Sequence, residues 1–436
     1  MDPIYIGLII IIAFMLLLST GMPIAFALGT VSVVTLMFID GPASISNFGE
    51  KLFGSLNSFN FVSIPMFILM GAAIAASPAG KDLYDALDRW LNKVPGGLVL
   101  SNLGACAIFA ALSGSSPATS AAIGKMGIPE MRDRGYPDDI AAGSIAAGGT
   151  LGILIPPSIT MIVYGIATET SIEQLFIAGI LPGLLLTTLF MIATIIMCKA
   201  RGIKITSFSQ NYTFIEKVSS LKRVLPFLTI IVCILYSLYG GLATPSEAAG
   251  VGAFFCLIFV VVIYRMWTLS YLIEIFRIAL LISVMIMMII GIAEIFSFAL
   301  STAYVPQTIA QSIAELGVNK WVLLGIINVF LLVCGLFLPP VAVILMTTPV
   351  LLPIITAAGF DPIWFAVILT INMEIGLITP PVGLNLYIIN SIAPDIELQT
   401  ILKGALPYMF CMILAIIILC IFPEIVTVLT GSARGI

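Results

Sequence analysis

The chain has 436 residues, 60% of them hydrophobic and 9% charged, with a net charge of −4 and a mean hydropathy of +1.19. A soluble domain carries roughly a quarter charged residues, so lipid is the main solvent here, and the lack of a basic patch with interleaved aromatics excludes a nucleic-acid partner. Histidine is absent and the seven cysteines show no metal-like spacing, which removes the commonest general base and metal ligand and, with them, most hydrolase and metalloenzyme readings.

A spanning helix needs about 20 apolar residues. In chain order, such runs cover 4–19, 23–39, 53–76, 140–166, 175–198, 225–239, 248–264, 278–299, 363–389 and 406–421. The first lacks a basic leader and a small-residue cleavage site, so it reads as a retained span rather than a signal peptide. Two more apolar regions, 96–124 and 321–353, are charge-free, too long for one crossing and broken near the middle by Gly and Pro. They read as helical hairpins that enter and leave by the same face. With the N terminus outside, fifteen of the eighteen Lys and Arg residues, Lys204 among them, then fall on the cytoplasmic side. Lys51, Lys320 and Arg434 remain outside. This is the positive-inside bias of inserted proteins, and it weakens if either hairpin is made a single pass.

The two halves are related. LGILIPPSI at 151–159 matches IGLITPPVG at 375–383, an offset of 224. The same offset pairs Pro129 with Pro353, Gly135 with Gly359, and Ile172 and Glu173 with Ile396 and Glu397. Nearby offsets pair Pro23 with Pro245 and Gly71 with Gly291. The expected fold is an all-α polytopic membrane protein of two inverted repeats, each with about five spanning helices and one re-entrant hairpin. The first repeat is 1–210 with its hairpin at 96–124, a cytoplasmic linker occupies 211–224, and the second repeat is 225–436 with its hairpin at 321–353. Inverted repeats with broken helices are a transporter signature, the substrate site lying near the midplane.

Irregular backbone at membrane depth must line a cavity or be buried in protein. Four segments qualify: 113–119 (SGSSPAT), 148–158 (GGTLGILIPPS), 334–340 (CGLFLPP) and 374–383 (EIGLITPPVG). Their hydroxyls and freed carbonyls are hard oxygen ligands suited to Na⁺, and helix N termini opened by the breaks suit a carboxylate. Lys and Arg are missing from all four, so an anion there depends on backbone dipoles, hydroxyls and co-bound Na⁺. Among acids in apolar surroundings, Glu247 follows TPS and reads as a helix-start residue, while Glu294 and Glu374 are candidates for proton relay or cation sensing. Isolated glycines such as Gly29 and Gly71 read as packing residues.

At these residues the chain resembles the large membrane subunit of the TRAP (tripartite ATP-independent periplasmic) transporters. The resemblance covers essentially the whole chain and rests on SIPMFILMG (63–71), SGSSPATSAAIG (113–124), LGILIPPSI with the following Tyr164 and Gly165, SIEQLFIAGILPG (171–183), ATPSEAAGVG (243–252) and ITPPVGLNL (378–386). It implies import of organic acids, such as C4-dicarboxylates or sialic acid, across the bacterial inner membrane, driven by a sodium gradient. It also implies a small four-helix membrane subunit, a periplasmic substrate-binding protein, and an elevator fold in which a transport domain holding both hairpins moves against a scaffold. No enzyme activity is expected. By position, one sodium site would comprise Ser113, Gly114, Ser115, Ser116, Thr119, Gly149, Thr150 and Gly152, and the second Gly335, Gly376, Thr379 and Pro380. Substrate would meet Ser116, Pro117, Ala118, Thr119, Pro156, Pro157, Ser158, Pro381, Gly383 and Asn385. One departure stands out: GLF at 335–337 is followed by Leu338, Pro339 and Pro340, where family members commonly carry an acidic or polar residue. Cation ligation at the second turn then falls to backbone carbonyls. The alternative is a stand-alone sodium-coupled carboxylate carrier or antiporter of related inverted-repeat fold. An intramembrane enzyme is disfavoured by the missing histidine and the lack of a clustered acid pair.

Overall fold

A computed structural model describes residues 2–203, 212–315 and 317–433. Lys204 and Arg434, both used in the charge asymmetry, lie outside the described residues. Within them the chain is helical and without strands. In order come α1 (Pro3–Ser19), α2 (Ile24–Asp40), α3 (Phe48–Leu56), α4 (Ser63–Ala75) and α5 (Ala79–Leu91). Next are α6 (Gly97–Ser113), α7 (Ser116–Asp133), α8 (Asp138–Thr150), α9 (Ile159–Ala167) and α10 (Ile172–Ala200). The second half holds α11 (Phe214–Tyr239), α12 (Pro245–Val262), α13 (Leu269–Thr302), α14 (Val305–Glu315) and α15 (Lys320–Gly335). It closes with α16 (Pro340–Ala357), α17 (Pro362–Leu377), α18 (Leu384–Ile392), α19 (Leu398–Ile421) and α20 (Glu424–Ala433).

The protein is a polytopic membrane protein. Helices α10, α11, α12, α13, α16 and α19 are each long and apolar enough to cross a bilayer, and the pair Pro42–Leu56 and Phe59–Ala75, bent by 63°, makes a seventh candidate. Five shorter apolar helices, α1, α2, α6, α15 and α17, add 16 or 17 residues each, about 25 Å of rise. The runs 140–166 and 363–389 do not cross as single helices. α8 passes through a 3₁₀ turn at Leu151–Ile153 before α9, and α17 ends at Leu377 before α18 begins. Each break holds a proline pair, Pro156–Pro157 and Pro380–Pro381, both joined by cis peptide bonds. Two consecutive residues without N–H donors cannot continue an α-helix.

Local chemistry sets the other ends. α17 starts on Asp361, whose carboxylate accepts from the N–H groups of Ile363 and Trp364 at 2.8 and 2.9 Å, with Pro362 in the first turn. α12 opens on a capping box in which Thr244 and Glu247 accept each other's backbone N–H, so Glu247 is a helix-start residue as expected. Two stretches outside the expected spans are helical. Residues 125–133 extend α7, because Arg134 pairs with Glu130 at 2.7 Å on the same helix face and the chain turns only at Gly135, φ +78°. Residues 214–224, within the stretch read as a linker, form the first turns of α11.

The helices gather into two groups. α2, α3, α4, α11, α12 and α13 pack on one another, with α4 against α12 and α13 against α2. In the other, α8 packs against α7 and α19, α10 against α19 and α20, and α15 against α17. α8 and α17 are buried on nearly every face, which fits their uniformly apolar or small sequences. Helices from the two sequence halves interlock there. A Cβ on Gly143 would strike the backbone of Gly404, so only glycines allow α8 and α19 to cross this closely. The Tyr164 hydroxyl donates to the Pro362 carbonyl at 2.8 Å, and Thr194 and Tyr408 hydroxyls meet at 2.8 Å.

Candidate functional site

The first hairpin doubles back at Gly114, whose φ of +58° suits glycine. A Cβ placed on Gly127 of α7 would strike Asn102 of α6, two positions equidistant from the turn, so the arms run antiparallel. At the tip the Ser113 and Thr119 hydroxyls lie 2.8 Å apart, and Thr119 Oγ1 donates to the Ser115 carbonyl at 2.9 Å. Ser115 is the N-cap of α7 but makes no side-chain cap bond, and Pro117 follows in the first turn.

This tip is seated on the α8–α9 break. A Cβ on Gly152 would lie 2.6 Å from the Ser115 carbonyl oxygen and 2.8 Å from Thr119 Oγ1. A Cβ on Gly149 would run into the Ser120 hydroxyl and lie 3.1 Å from the Ser116 carbonyl oxygen. One on Gly114 would be 2.8 Å from the Pro157 carbonyl oxygen, and Ile159 N donates to the Gly114 carbonyl at 3.4 Å. Gly71 presses on Ser113 from the other side, its Cβ direction 2.7 Å from the Ser113 carbonyl oxygen, in keeping with a packing role. The structure therefore gathers Ser113, Gly114, Ser115, Ser116 and Thr119 with Gly149, Gly152 and Pro157. Thr150 and Ser158 are buried beside them, but their hydroxyls donate to the carbonyls of Ala147 and Ile153. Pro156 is buried, while Pro117 and Ala118 are half-buried.

The second unit is similar in frame and barer in chemistry. A Cβ on Gly376, the counterpart of Gly152 at the offset of 224, would lie 2.6 Å from the Gly335 carbonyl oxygen. Thr379 Oγ1 donates to the Ile375 carbonyl at 2.6 Å. Pro380 and Pro381 are exposed, unlike Pro156 and Pro157. Gly383, φ +51°, opens α18, and Asn385 on its first turn is fully buried. Asn385 Nδ2 donates to Ser116 Oγ at 2.8 Å and to the Ala146 carbonyl at 3.1 Å. One residue of the second half thus reaches the first hairpin tip and α8 together.

Sequence reasoning missed several groups. Asn372 Nδ2 donates to both the side-chain and backbone oxygens of Asn328 at 2.9 Å, tying α17 to α15. Ser120 Oγ and the Asn385 Oδ1 are buried without a partner. Glu374, which the sequence did single out, lies two residues from Gly376 and is fully buried, with neither carboxyl oxygen hydrogen-bonded among the described residues. The only advance signal for Asn372 was an amide in an otherwise apolar helix. A cavity of about 800 Å³ lies elsewhere, between the two helix groups. Its walls include Asn60, Glu294 and Ser297 on one side and Glu169, Glu173 and Thr348 on the other. Of the residues singled out from the sequence, Glu294 lines it; the residues expected to hold sodium or substrate do not, being close-packed around their glycines.

Buried broken helices, oxygen-rich tips and a polar cavity between two helix groups define a membrane transporter. The family model for the tripartite ATP-independent periplasmic transporter DctM component matches residues 11–425. The chain belongs to that family, the large permease subunits of TRAP transporters. It is 37% identical over 399 residues to a C4-dicarboxylate TRAP transporter large permease protein from Pseudomonas aeruginosa, covering 92% of each chain. It is 31% identical to a sialic acid TRAP transporter large permease protein from Vibrio cholerae, covering 96% of this chain and 97% of that one. An ectoine TRAP transporter large permease protein from Halomonas elongata is 32% identical over 96% of this chain and 97% of its own. Among solved structures, the Alcanivorax borkumensis YdaH transporter shares the fold, with a TM-score of 0.66 at 15% identity over 91% of this chain and 90% of that one.

Proposed function

We propose that this permease carries an organic acid across the inner membrane by sodium-coupled secondary transport, receiving it from a periplasmic substrate-binding protein and working with a small four-helix membrane subunit. The relatives' C4-dicarboxylate, isethionate, sialic acid and ectoine assignments point to a small organic acid as cargo, carboxylate or sulfonate. The reading rests chiefly on the first hairpin tip. Ser113 Oγ, Ser115 O and Thr119 Oγ1 cluster at the tip, the latter two against Gly152 of the α8–α9 break, and Pro157 O of that break lies against Gly114 of the tip. That is an all-oxygen donor set of the kind a hard monovalent cation takes. Gly335 and Gly376 offer backbone oxygens for a second ion.

Two inverted repeats and an elevator motion are part of the same proposal. Ser116 and Pro340 open α7 and α16, and Asp138 and Pro362 open α8 and α17, both pairs 224 residues apart. The α6–α10 and α15–α20 helices form the moving body. The group around α4, α12 and α13 forms the scaffold, and the N terminus lies on the periplasmic side. The test is uptake into proteoliposomes holding this chain, the small subunit and candidate binding proteins. Accumulation of an organic acid should require an inward Na⁺ gradient and vanish when choline replaces Na⁺. Equal uptake in both media would refute sodium coupling.

A further inference from the structure

The cavity between the helix groups has a charge character of its own. Three carboxylates, Glu169, Glu173 and Glu294, line it, and no Lys or Arg among the described residues does. Lys51, on the same flank, sits over the Phe298 ring at 4.1 Å and is not part of the lining. Glu294 lies within α13, the longest apolar helix, and is exposed to this space. A carboxylate on a membrane helix is retained for function and calls for a counter-charge, yet Glu294 has no ion pair or hydrogen bond among the described residues. On the facing wall Thr348 is 3% exposed and its hydroxyl has no partner. Buried hydroxyls are normally satisfied, so an orphan on a cavity wall marks a place that a ligand or water completes.

The cavity also adjoins the transport machinery. α9 runs from Ile159, bonded to Gly114 at the first tip, to the lining residues Val163 and Ala167, about 6 Å of rise to the nearer one. α16 runs from Pro340 at the second turn to Thr348, about 12 Å. No three acidic or sulfur-bearing side chains among the described residues stand close enough to hold a metal ion, and the space is molecule-sized. A dianion would meet like charge on both walls.

We infer that this cavity is a cargo subsite for a positively charged group, an ammonium or amidinium, so that the transported acid is zwitterionic rather than dianionic. Glu294 supplies the counter-charge, Ser297 on the next turn supplies a hydroxyl acceptor beside it, and Thr348 faces them from the other wall. The inference rests on the transport reading above. The test uses the reconstituted complex with matched four-carbon probes, γ-aminobutyrate against succinate, alongside betaines and amidine-bearing acids. At least one zwitterion should outcompete succinate. Glu294→Gln should weaken its apparent affinity by about tenfold, with Glu294→Asp restoring part of it and the sodium activation constant unmoved. Succinate preferred by the wild type, zwitterion affinity unchanged in Glu294→Gln, or an effect confined to sodium activation would each overturn the inference while leaving organic acid transport standing. Failure of the wild type to take up any organic acid would instead refute the transport reading, and this one with it.

Discussion

Glycine 152 shows how one atom decides whether a hairpin tip can dock. The nearest neighbours of its missing Cβ are the Ser115 carbonyl oxygen and Thr119 Oγ1, groups with no freedom to withdraw because the tip is closed by its own hydrogen bonds. Gly152→Ala should therefore cost about 1–3 kcal/mol through overpacking and reduce initial uptake by about tenfold or more. Gly325→Ala is the matched control: that glycine is in a helix with nothing within 4 Å of an added Cβ, and should keep uptake and gain a few tenths of a kcal/mol to about 1 kcal/mol of stability. Asn385 is the other decisive residue. Its amide joins the second half to Ser116 and Ala146, so Asn385→Ala removes two buried hydrogen bonds and should lower stability by about 1–3 kcal/mol, measured by thermal unfolding in detergent.

Ion pairs at the corners of the helices hold elements in register. Arg134, beyond the end of α7, pairs with Asp88 on α5 at 3.2 Å, and the Asp88 side chain is only 7% exposed. Removing the cation strands that carboxylate, and Arg134→Ala should cost about 1–3 kcal/mol once the partial exposure of the arginine is allowed for; Asp88→Asn in the same background should recover part of the loss. Arg132 bonds Asp395, between α18 and α19, at 2.6 Å and holds its carboxyl below the usual carboxylate range. A lowered folded-state value means that this contribution is complete above the ordinary aspartate pKa, about 4, and disappears as pH falls through the lower one. Asp395→Asn should therefore lower the neutral plateau slightly and flatten the acid limb of the stability profile, the two proteins converging at low pH. Much at this scale was legible beforehand. The proline pairs announced both breaks, TPSE announced the capping box, and Gly114 with Pro117 announced the first tip. Residues 125–133 lay outside every expected span because they carry charges, yet one face of α7 there buries Gly127, Ile128 and Met131. The Asn328–Asn372 pair and the cavity were illegible for another reason. Each is assembled from segments dozens to hundreds of residues apart, and spacing along the chain carries no record of which helices become neighbours.

For the whole molecule, the two helix groups and the asymmetric tips define the working model. The first tip offers hydroxyls and carbonyls packed on a glycine face, whereas the second offers backbone, with Pro380 and Pro381 open beside it. Sodium dependence should therefore be most sensitive at the first tip. The most direct measurement is the sodium concentration giving half-maximal uptake in proteoliposomes for Thr119→Ala beside the wild type and Gly325→Ala. Thr119→Ala should raise it by about tenfold, in line with the loss of one oxygen ligand and of the Ser113 contact, while Gly325→Ala leaves it unchanged. A Thr119→Ala permease that folds, transports, and shows the wild-type sodium requirement would contradict a sodium site at this tip.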